Sequence, residues 1–176
     1  MSPKSPFTGA DTLSASATGK ILAIDYGRAR IGLALAESLE GIAQPFGTLH
    51  RINRNEDIRR LREFVRDHDV KLILVGLPLR LDGSRSEMAE ETERFAQRMR
   101  KQIGVPVEMA DERLTSWEAE RLLEEEFGRK SKQTAGASKK KGAGKFTVDS
   151  VAATIILREY LARMSGVSEQ PSQEAR

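Results

Sequence analysis

The sequence predicts one α/β domain, a mixed β-sheet with helices on its faces. Three observations carry that reading: apolar runs of strand length alternate with amphipathic helical segments, the last helix is apolar almost all round, and the length suits one core. At 176 residues the chain can bury a real core but is too short for two ordinary domains. With 39% hydrophobic and 31% charged residues it reads as globular, and no stretch reaches the ~20 apolar residues of a membrane span.

The elements follow in order. Residues 1–19 are rich in Ser, Thr, Gly and Pro, have no apolar core of signal-peptide length, and are expected to form a disordered tail. Ile21 to Asp25 and Ile31 to Ala36 read as strands flanking the turn "YGRAR", and a third strand from about Ile42 to Leu49 completes an antiparallel meander. Ile58, Leu61 and Val65 recur at helical spacing in "NRNEDIRRLREFVRDHD", with Asn53 or Asn55 as cap. The unbroken run "VKLILVGLP" predicts a strand buried on both faces. Ser84 and Glu87 have capping-box spacing and open a helix to about Lys101. "VPVEMAD" is a fifth strand. Thr115 and Glu118 repeat the capping pattern before Ala119, Leu122, Leu123 and Phe127, and "TVDSVAATIILREYLARM" is the final helix. The domain is expected to span 20–164, followed by a disordered tail over 165–176.

Composition narrows the chemistry. There is no cysteine, which removes disulfides, thiolate nucleophiles and thiolate zinc sites, and His50 and His68 are the only histidines. A cytoplasmic protein is expected, with no membrane partner. The net charge of +3 is unevenly placed. Seven basic residues and no acid fall between Gly128 and Phe146, so the rest of the chain carries 22 basic against 26 acidic residues. That Gly/Ala/Ser/Lys stretch is expected to be a flexible loop over 128–146. It is either a solvated linker or an arm whose Lys139, Lys140 and Lys141 grip phosphate.

Most acids alternate with Arg and Lys on helices, as in "EDIRRLRE", and read as solvated surface. Three sites stand apart. Asp25 ends the first strand, Asp111 and Glu112 end the fifth, and Asp149 sits in the first turn of the last helix. In an α/β sheet these positions meet along one edge. Taken singly, Asp149 can serve the helix dipole, Asp111 can cap a turn, and Glu112 can pair with Arg113. Asp25 needs a partner wherever it is buried. Together they point to a hard-cation site with oxygen ligands, suited to Mg²⁺ or Mn²⁺.

"AIDYGRARIGLALA", "LILVGLPLRLDGSRSEMAEETERFAQRM", "DERLTSWEAERLL" and "VDSVAATIILREYL" resemble the YqgF family, also called RuvX-like, in matching order from residue 20 to about 162. Its members are described as Holliday junction resolvases and as nucleases maturing the 5′ end of pre-16S ribosomal RNA. The resemblance implies a ribonuclease H-like fold with a five-stranded mixed sheet, the first three strands antiparallel. It also implies an acidic catalytic and metal-binding centre at Asp25, Glu112 and Asp149, with Asp111 in the same motif. The segment "SKQTAGASKKKGAGK" departs from the family, whose members usually have a shorter loop there.

On this reading the cofactor is Mg²⁺ or Mn²⁺ and the partner is nucleic acid, RNA or branched DNA, with ribosomal precursor particles as the setting and a monomer or homodimer as the working form. Gly27 and Gly32 would let the backbone pass close to phosphates, and Arg28, Arg30, Arg80 and Arg85 would contact substrate. Two rival readings remain. The pattern D-x-G-x-x-x-x-G at Asp25 to Gly32 also resembles the phosphate turn of actin-like ATPases and sugar kinases, which need a second such domain. A non-catalytic assembly factor of the same fold is the other.

Overall fold

A computed structural model describes residues 19–78, 85–111 and 147–167. The strands are β1 (Lys20–Tyr26), β2 (Arg30–Ala36), β3 (Gln44–His50), β4 (Val70–Leu77) and β5 (Val107–Asp111). The helices are α1 (Arg54–Asp67), α2 (Glu87–Gln102) and α3 (Val148–Val167). They form a five-stranded sheet in the order β3-β2-β1-β4-β5. β1 pairs antiparallel with β2, and β2 with β3; β1 and β4, and β4 and β5, pair parallel. The expected mixed sheet with an antiparallel meander is what forms.

Strand alternation divides the core in two. Leu22, Ile24, Ile31, Ile73 and Val75 point to one face, where Ile58, Leu61 and Val65 of α1 and Phe95, Ala96 and Met99 of α2 cover them. Ile21, Ala23, Ala34, Leu72, Leu74 and Ala110 point to the other, under Ala153, Ile156, Leu157 and Leu161 of α3. The small residues Ala23, Ala34 and Ala110 let α3 lie close to the sheet, and β4 is buried on both faces as its composition requires. Among the described residues, no helix is long and apolar enough to cross a membrane.

Several boundaries differ from expectation. β3 starts at Gln44, because Ser38 and Gly41 close a turn and Ile42 is 78% exposed. Asn53, not Asn55, caps α1, accepting from the Asn55 and Glu56 N–H groups. α2 opens on Ser86, whose hydroxyl accepts from the Ala89 N–H, so the Ser84–Glu87 capping box is not what starts it. α3 continues to Val167, into the segment assigned to the C-terminal tail. The helix expected after Thr115 and the loop 128–146 lie outside the described residues.

Candidate active site

Asp25 lies opposite Gly32 of β2, and Gly32 lies opposite Thr48 of β3. Paired residues share a face, so these three form a row across the sheet beneath the start of α3. That start is held in three ways. The Thr147 and Thr48 hydroxyls are hydrogen-bonded to each other. The Ser150 N–H donates to Thr147 Oγ1 at 3.1 Å and the Thr147 N–H donates to Ser150 Oγ at 3.0 Å, a reciprocal cap. Finally, a Cβ built on Gly32 would lie 1.9 Å from the Asp149 carbonyl oxygen, so only glycine lets the helix settle there.

This seating brings the Asp149 carboxylate beside Asp25. The Asp25 carboxyl is pushed up to about 6, first by burial and second by the negative charge of Asp149. Asp149 is itself restrained by Arg30, whose Nε lies 2.9 Å from Oδ2. Among the described residues, no hydrogen-bond donor or basic group touches the Asp25 carboxylate, and no group of three metal-ligating side chains occurs. A half-buried carboxylate facing a second carboxylate, with only oxygen donors, is the chemistry a hard divalent cation satisfies. The donor set therefore fits such an ion.

The other expected site residues divide into three groups. Asp111 closes β5 opposite Leu77, at the same end of the sheet as Asp25; its side chain, together with Glu112, Arg80 and Lys139 to Lys141, lies outside the described residues. Arg28 and Arg85 are present but ion-paired, Arg28 with Glu87 and Glu91 at 3.1 and 2.9 Å, Arg85 with Glu93 at 3.1 Å. The two glycines have roles in the fold. The space over Gly32 is filled by α3, and the Gly27 N–H closes the β1–β2 hairpin on the Arg30 carbonyl at 2.9 Å.

One cluster escaped the sequence reading. Arg51 donates from Nη1 to the Tyr26 hydroxyl at 2.8 Å and the Gly27 carbonyl at 3.1 Å, and its guanidinium stands 4.6 Å over the Tyr26 ring. Its Nε donates to Asp57 Oδ2 at 2.9 Å, while Asp57 Oδ1 accepts from the Ile52 N–H at 3.0 Å. Asp57 is fully buried, which corrects the assignment of all acids in "EDIRRLRE" to the surface. The signal was available: Asp57 shares its helix face with Leu61 and Val65, at i and i+4 spacing. The pair ties the start of α1 to the turn that follows Asp25.

A meander continued by two parallel strands, with an aspartate on the central strand and another at the start of the helix across it, defines a ribonuclease H-like protein. The solved structures it resembles agree on the fold. Thermus thermophilus RuvC aligns with a TM-score of 0.51 at 12% identity, covering 83% of this chain and 96% of that one. The same protein in complex with a Holliday junction substrate aligns with a TM-score of 0.50 at 15% identity, covering 82% and 96%. The family is narrower. Residues 19–163 match the family model RuvX, described as Holliday junction resolvase, and the chain belongs to that family. A Koribacter versatilis (strain Ellin345) protein named "Putative pre-16S rRNA nuclease" is 39% identical over 153 residues, 87% of this chain and 93% of that protein. A Syntrophus aciditrophicus (strain SB) protein of the same name is 38% identical over 146 residues, 83% and 90% respectively.

Proposed function

We propose that this chain is a divalent-metal-dependent nuclease that matures the 5′ end of pre-16S ribosomal RNA, in the cytoplasm, on ribosomal precursor particles. The observation that carries the reading is the convergence of Asp25 and Asp149 on one edge of a ribonuclease H-like sheet. Two relatives that match most of the chain carry the name "Putative pre-16S rRNA nuclease".

Asp25, Asp149 and, from the end of β5, Asp111 and Glu112 would hold Mg²⁺ or Mn²⁺. When bound, such ions activate water for attack and offset the charge on the attacking and leaving oxygens of a phosphodiester. The chain's own residues supply rigidity and reach. β1 runs between β2 and β4, so the strand that carries Asp25 is held on both sides, and Asp25 itself pairs with Gly32 of β2. α3 delivers Asp149, and Arg30 restrains its carboxylate. Arg28 and Arg85 are exposed, and exposed ion pairs are worth only ~0–1 kcal/mol, so exchanging Glu for a substrate phosphate costs little.

Holliday junction cleavage is a second reading, favoured by the family model's description. A resolvase needs two coordinated active sites and therefore a dimer; end maturation needs one. Matched pre-16S RNA, duplex DNA and four-way junction substrates, assayed together with a mass measurement in the same buffer, separate the two. Metal-dependent cutting of the RNA by a monomer supports the first reading. Symmetric junction cutting by a dimer, with RNA intact, replaces it with the second.

A further inference from the structure

Tyr26 follows Asp25 in β1, so its side chain points to the opposite face of the sheet, where its ring packs 4.6 Å from that of Phe95 in α2. Around this aromatic floor opens a pocket of about 350 Å³, lined by Arg28, Arg51, Arg54, Arg94 and Arg98. One carboxylate, Glu91, lines it with them. Arg51 is committed to Asp57, Arg28 to Glu87 and Glu91, and Arg94 reaches Glu90 at 3.5 Å. Arg54 and Arg98 touch no carboxylate among the described residues. Two guanidinium forks left without acids, beside three that are only partly offset by theirs, favour an anion that accepts several N–H bonds at once, as a phosphate does.

The pocket also has a route to the acid pair. The Gly27–Arg30 turn crosses the sheet edge, with Arg28 reaching the α2 carboxylates on one side and Arg30 reaching Asp149 on the other. We propose that the arginine pocket is a phosphate subsite that holds the backbone of the nucleic-acid substrate away from the bond that is cut, the strand crossing the sheet edge over this turn. The identity of the bound chain rests on the nuclease reading; the preference for phosphate rests on the pocket alone.

The test is binding of a fluorescein-labelled single-stranded RNA of mixed sequence to the full-length protein in EDTA, where metal-dependent cutting cannot confuse the readout. The Arg54→Ala/Arg98→Ala double variant is expected to bind about tenfold more weakly. Its log affinity should fall less steeply with log salt, by ~0.7 for each phosphate that the variant no longer neutralises. Arg66→Ala, in the last turn of α1 and 74% exposed, controls for net charge and should change neither. Unaltered affinity and slope in the double variant overturn the proposal, even if the protein cuts RNA. Conversely, a protein that cuts nothing but loses affinity on this substitution keeps the subsite and loses the nuclease reading. Pyrophosphate titrated in place of RNA separates free phosphate from nucleic acid: arginine-dependent pyrophosphate binding with RNA affinity unmoved also overturns the proposal.

Discussion

Asp25 is destabilising in the metal-free protein, and its sign with pH can be worked out. Its carboxyl titrates at about 6 in the folded chain against 3.8 for the free group, so between those values the native state keeps a proton that the unfolded state has lost. Stability therefore falls as pH rises through that window, and the full penalty is present above about pH 6. Asp25→Asn should raise stability in EDTA at about pH 7 by roughly 1–3 kcal/mol, and by nothing below about pH 4, while abolishing cleavage. Thermal melts at both pH values check this; a less stable variant at neutral pH would mean that a cationic partner offsets the charge. Arg51 makes the opposite case. Arg51→Ala leaves Asp57 buried without its counter-charge and should cost about 3–5 kcal/mol, read by urea unfolding. At this scale the place of Asp25 at the end of an apolar strand, with Asp149 brought beside it, was legible in the sequence. The burial of Asp57 was readable from its helix face, but its pairing with Arg51 was not, because Arg51 is aimed by the Tyr26 ring and the Gly27 carbonyl, neither of which is local in sequence.

Among the elements, α3 decides whether the two aspartates meet. Its first turn is fixed by the Thr147–Ser150 cap, by the Thr48 hydroxyl and by the absence of a side chain at Gly32. Gly32→Ala would push a methyl group into the Asp149 backbone and should cost about 1–3 kcal/mol or more, with a larger loss of activity than of stability because Asp149 moves with the helix. Measuring melting temperature and cleavage rate on the same variant tests this; full activity at reduced stability would show that the position of Asp149 is not critical. The helix itself was readable from its unbroken apolar sequence, as β4 was. The meaning of Gly32 was not. Alone in sequence it reads as a glycine for the approach of phosphate, and only the helix lying over it shows what occupies the space. The start of α2 was misread for a similar reason: two serines lie close in sequence, and the Ser86 hydroxyl, which caps the helix, also donates to the Pro78 carbonyl.

For the whole molecule, one sheet edge carries both the acid pair and, on the opposite face, the arginine pocket, joined by the Gly27–Arg30 turn. The meander and the strand–helix alternation made the mixed sheet legible, whereas the packing of α1 against α2 around Tyr26 required the folded chain. The basic segment 128–146 precedes the helix that bears Asp149. If Lys139, Lys140 and Lys141 grip the nucleic-acid backbone, replacing all three with alanine should flatten the salt dependence of binding by up to roughly two units and leave the rate at saturating substrate almost unchanged. A collapse in that rate would instead assign the segment to ordering α3. Whether Asp25 and Asp149 form a metal-dependent phosphodiesterase centre is decided most directly by cleavage of a 5′-extended pre-16S RNA. The wild-type chain, Asp25→Asn and Asp149→Asn are compared, each with Mn²⁺ or Mg²⁺ and with EDTA. Correct 5′-end formation is expected from the wild type with metal alone, and a loss on the order of 10²-fold or more in either folded variant. Cleavage that survives EDTA, or that either variant retains in full, would contradict such a centre.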